Sequence, residues 1–138
     1  MGLPESTLNV RIGTKLFLTL EMAAVHQIDA AIDALEAGLF DVALTLAGAA
    51  EGMIERSGLH LFGELKNSPA ALARFTQKEW ISILNMERDW LKHGGQPAME
   101  IHCSTAAFMI ARATTKIENW SPRMVEFKIW MLANLDRI

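Results

Sequence analysis

Leu18, Met22, Val25, Ile28, Ile32, Leu35 and Leu39 follow one another at steps of four and three. A helix turns once in about 3.6 residues, so these seven side chains form one stripe along an α-helix. A half-buried strand needs alternation at every second residue, and such alternation is hard to find in this chain. The pattern predicts a helix over about 14–37, with Thr14 as N-cap and Gly38 as its terminating glycine. His26, Asp29, Asp33 and Glu36 lie off the stripe and read as a solvated face.

The same logic predicts four more helices. One runs over about 41–56, with a main stripe of Val42, Leu46, Ala49, Ala50 and Met53. Leu44, Gly48 and Glu51 lie on its other side, and its many small residues allow a neighbour to come close. The next runs over about 76–93, opened by the capping box Thr76-Gln77-Lys78-Glu79 and closed before Gly94-Gly95. A fourth spans about 98–119 on the stripe Met99, Cys103, Ala106, Ile110, Ala113, Ile117 and Trp120, with His102 close to that stripe as a core or interface histidine. A fifth spans about 122–136, with Ser121 as N-cap, Pro122 at its first position and a stripe of Met124, Phe127, Met131, Leu135 and Ile138. Residues 57–75 read as an irregular connection, and 1–13 as a loosely ordered start. The expected architecture is all-α: one domain over 1–138, an antiparallel bundle of four to five helices.

Composition agrees with that and narrows the function. Hydrophobic residues are 51% and charged residues 21%, enough apolar material for a core in one domain of 138 residues. Thirteen Lys and Arg against sixteen Asp and Glu leave a net charge of −3, so nucleic acid would have to be met by a local basic pocket. The lone Cys103 excludes an internal disulfide framework and reads as a small core residue. No apolar run approaches the ~20 residues of a membrane span, and the first residues lack a signal-peptide pattern. The expectation is a cytoplasmic protein with no membrane partner and no cofactor. A metal-binding bundle would draw on Glu21, His26, Glu51, His93 or His102, but no Glu-x-x-His pair supports it.

The 76–93 helix carries the chemistry. Trp80, Ile81, Leu84 and Leu91 form its core stripe, and Arg88 falls inside that stripe, where a guanidinium needs a partner. Ile83, Met86 and Trp90 form a second apolar stripe, for which a second copy of the chain is the simplest cover. Asp89 and His93 are four residues apart on one face, so Asp89 can hold the imidazole. Lys92-His93-Gly94 also reads as an ordinary helix end, and Arg88 and Glu51 as a structural ion pair.

Arg88-Asp89-Trp90-Leu91-Lys92-His93 resembles the R-x4-6-H motif of the HEPN superfamily, with the polar residue that commonly follows the arginine. Leu46-Ala47-Gly48-Ala49-Ala50-Glu51 is similar to the Ala-Ala-Glu stretch in the second helix of many HEPN domains. The resemblance covers about 14–120 and implies a dimeric helical bundle with two motifs in a shared cleft. Many such domains are metal-independent endoribonucleases; others bind nucleotides or have no catalytic activity. For the ribonucleases, the resemblance implies that His93 handles protons, Arg88 stabilises the charged phosphorane and Asp89 orients the pair. Glu51 and Lys92 would support them. Those roles suit a histidine that titrates near neutrality and a guanidinium facing phosphate.

Overall fold

The computed structural model describes residues 2–55, 67, 69–73 and 76–137; the side chains of Ala70, Ala71 and Ile83 fall outside that description. The expected connection over 57–75 therefore lies mostly outside the described residues, as do Arg56, the end of the second predicted helix, and Ile138. Within them the protein is all-α, with α1 Leu20–Glu36, α2 Phe40–Met53, α3 Pro69–Leu72, α4 Gln77–His93, α5 Cys103–Thr114 and α6 Pro122–Ala133. Among the described residues there is no strand, and no helix is long and apolar enough to cross a membrane.

Helix α1 begins later than the stripe predicts. Thr19, not Thr14, is the N-cap, its hydroxyl accepting from the Met22 amide at 3.1 Å. Thr14 instead donates its hydroxyl to the Arg11 carbonyl within a turn. At the other end the chain turns back through Ala37, Gly38 and Leu39, with Gly38 at φ +78°, a backbone conformation that favours glycine.

The helix faces also differ from the stripes of large residues. Leu18, Met22 and Leu39 are exposed, whereas Ala24, Ile28, Ala31 and Ile32 are buried. On α2, Val42 is exposed, and the side carrying Ala43, Leu44, Ala47, Gly48 and Glu51 is the buried one. The reason is α2's position: it packs against both α1 and α5, and its small residues let those helices come close. A face of alanines then makes a dry contact that a ranking by hydrophobic bulk overlooks.

Helix α5 is shorter than predicted at both ends. Residues 98–101 are not helical, and His102 is an exposed N-cap residue with its Nε2 3.7 Å from Glu100, not a core histidine. The last turn tightens: Lys116 and Ile117 amides donate to the carbonyls three residues back, and the chain leaves the helix there. Ala106, Ile110, Ala113 and Ile117 are buried as the stripe predicts. Cys103 is half-buried. Ser121 caps α6 and Pro122 opens it, as predicted; Met124, Phe127 and Met131 join the core while Leu135 is exposed. Three residues of the predicted solvated face of α1 meet α6 and its cap: the Ser121 hydroxyl donates to Asp29 at 2.6 Å, and Arg123 pairs with Asp33 at 2.7 Å and with Glu36.

Candidate functional site

Helix α4 forms as its sequence predicts. Thr76 and Glu79 make the reciprocal capping box, and the Gly94 amide closes the helix on the Trp90 carbonyl. Lys92 and His93 sit in the last turn, where cations face the free carbonyls.

Arg88 leaves α4 toward α2. Its Nη1 donates to Glu51 Oε2 at 3.2 Å, so the pair anticipated from the sequence is formed. The approach is possible because of Gly48: a Cβ built there would lie 2.8 Å from Arg88 Cδ and 3.1 Å from Cγ. Any side chain at 48 would push the guanidinium away.

Sequence reasoning missed the other two cations. Arg112 of α5 places Nη2 3.4 Å from Glu51 Oε1, and Lys116 places Nζ 3.1 Å from the same oxygen and 3.0 Å from the Glu51 carbonyl. Arg112 Nη1 also donates to Asn85 Oδ1 at 3.2 Å, tying α5 to α4. One buried carboxylate thus holds three cations, from α4, from α5 and from the turn that follows α5. Burial pushes the Glu51 carboxyl up, but the Arg112 guanidinium, Lys116 and Arg88 outweigh that and hold it below its ordinary value. Burial and the neighbouring Arg88 lower Arg112, against the opposing pull of Glu51. The signal for Arg112 was a charged residue in the alanine-rich run Ala106–Ala113, on the side of α5 away from Ile110. Lys116 has no such signal, because the tightened last turn aims it.

The other predicted site residues are spread around α4. Asp89 is half exposed, with Oδ1 3.8 Å from Arg88 Nε; among the described residues its ion pair is with Arg88 and not with His93. His93 and Lys92 are exposed. Arg88 and His93 are five residues apart on an unbroken helix, about 140° around its axis, so one chain does not aim both at one ligand. Met86 is exposed. Trp90 is half-buried and donates Nε1–H to the Gln96 carbonyl at 2.8 Å, which ties the Gly94–Pro97 turn to α4. Ile83 belongs to the same face by register, but its side chain lies outside the described residues.

Among the described residues no three His, Cys, Asp or Glu side chains converge as a metal site would require, and Glu51 is already enclosed by cations. Arg88 Nη2 has no partner among the described residues, which leaves one edge of the guanidinium available to an anion. The chain matches no protein-family model, no curated protein and no solved structure.

Proposed function

We propose that this chain is a HEPN-like helical bundle that works as a homodimer and cleaves RNA without a metal ion, through a composite site of Arg88, Asp89 and His93. The observation that carries the reading is the seating of Arg88: paired with Glu51 on one edge, packed over Gly48 and, among the described residues, with no partner for Nη2. A guanidinium held in this way meets a phosphate at little further cost in ordering. His93, exposed at the end of the same helix, supplies the proton-transfer group, and Asp89 orients Arg88. Lys92 adds a cation beside His93. A two-fold dimer with Ile83, Met86 and Trp90 at or near the interface brings one chain's Arg88 to its partner's His93.

The test is cleavage of a mixed-sequence RNA by purified protein in EDTA. Wild type cuts; His93→Ala loses cutting while its helical spectrum and melting temperature stay unchanged. Cleavage that survives His93→Ala refutes the composite site. A second reading, a non-catalytic nucleotide-binding or protein-interaction module, is favoured by the Arg88–Glu51 pair, which already gives Arg88 a structural role. It takes over if wild type leaves RNA intact.

A further inference from the structure

Among the described residues, the largest concentration of exposed apolar side chains is not on α4 but ahead of α1. Residues 2–19 are exposed throughout and contain no helix or strand. Leu3, Leu8, Val10, Ile12, Leu16 and Phe17 are between 70% and 94% exposed. The segment bends once, at Gly13, where the Thr14 amide and hydroxyl both donate to the Arg11 carbonyl. Arg11 and Lys15 flank that bend and make no ion pair among the described residues.

The same chain carries a matching receptor. A groove of about 520 Å³ lies between the C-terminal end of α1 and α6, with Ile32, Leu35, Phe40, Phe127 and Trp130 among its lining. At its edge Arg123 pairs with Asp33, Glu36 and Glu126 together, one cation against three carboxylates. An apolar floor with an acidic rim suits an apolar segment carrying Arg11 and Lys15.

We propose that residues 8–18 of one copy of this chain occupy the groove of a second copy, each chain giving its arm to the other. The groove sits at the far end of α1 from the arm, about 25 Å along a 17-residue helix, and residues 2–19 are all exposed. Within residues 8–18, Leu8, Val10, Ile12, Leu16 and Phe17 each stand at least 70% exposed, and reciprocal exchange would draw these apolar side chains against the apolar floor of the partner's groove. Reciprocal exchange closes as a two-fold dimer and leaves no arm exposed. The exchange does not rest on RNA cleavage, and neither readout below measures it.

Cys103 lines the groove and is the chain's one cysteine, which makes it a built-in probe. Single cysteines scanned along the arm, among them Ile12→Cys and Phe17→Cys, are oxidised mildly in the full-length protein. The expected result is a covalent dimer that disappears when Cys103→Ser is added. A disulfide-closed monomer, a dimer that persists with Cys103→Ser, or no cross-link at any arm position overturns the exchange. Sedimentation gives the second readout. Wild type is dimeric at micromolar concentration, and Leu16→Asp raises the dissociation constant at least tenfold with an unchanged helical spectrum. A monomeric wild type at about 100 μM, or an unmoved dissociation constant, also overturns it.

Discussion

Two ionic clusters of this protein are inversions of each other. Around Glu51, one carboxylate gathers Arg88, Arg112 and Lys116; around Arg123, one guanidinium gathers Asp33, Glu36 and Glu126. The first has its centre under packed helices, with the Glu51 side chain 5% exposed. The second lies at the surface, where hydrogen bonds to Glu36 and Asp33 raise Arg123 above its ordinary value without enclosing it. Equal numbers of charges therefore have unequal consequences. Water screens the outer cluster, while the inner one has only its own members to balance one another.

The largest expected effect follows from removing the inner hub. Glu51→Ala leaves three cations facing one another beneath α2 and costs about 3–5 kcal/mol of stability, read by chemical denaturation. A loss below about 1 kcal/mol would show that the two clusters are energetically alike. Gly48→Ala comes next. It forces the Arg88 stem aside and costs about 1–3 kcal/mol as an overpacked contact, and any Arg88-dependent activity falls with it. A melt that matches wild type, with activity retained, would mean that Arg88 has room to move.

Acid should separate the clusters by a smaller effect. The Glu51 carboxyl is held below its ordinary value, so it binds a proton more readily in the unfolded chain than in the folded one. Its contribution is complete above the ordinary carboxylate range and is lost as pH falls through its lowered folded value. Glu51→Gln should flatten that acid limb of the stability profile, and an unchanged limb would assign it to other carboxylates. The smallest effect is at Arg123: Arg123→Ala should leave the melting temperature within error at physiological salt, and a clear drop would place the outer cluster among the structural supports of α6.

Much of the fold was legible in local sequence, for local reasons. Thr76 with Glu79, Ser121 with Pro122, and Gly38 and Gly94 set helix ends through contacts within a few residues, so their spacing announces them. Arg88 was legible too, since a guanidinium on a core stripe requires a partner, and Glu51 was the acidic residue on the facing helix. Thr14 misled because a threonine at either 14 or 19 satisfies the rule for a cap; Thr14 spends its hydroxyl on the Arg11 carbonyl, and it is the Thr19 hydroxyl that meets an amide three residues on.

Sequence by itself determined that this chain is helical, that α1 and α4 stop at Gly38 and Gly94, and that Glu51 and Arg88 belong together. Tertiary structure alone decided that the alanine faces of α1 and α2 would be the dry ones, because close approach depends on both partners at once. It also decided that Arg112 and Lys116 would complete the cluster. They lie about 60 residues beyond Glu51, on a helix whose tightened last turn aims the lysine, and no spacing rule reaches across that distance.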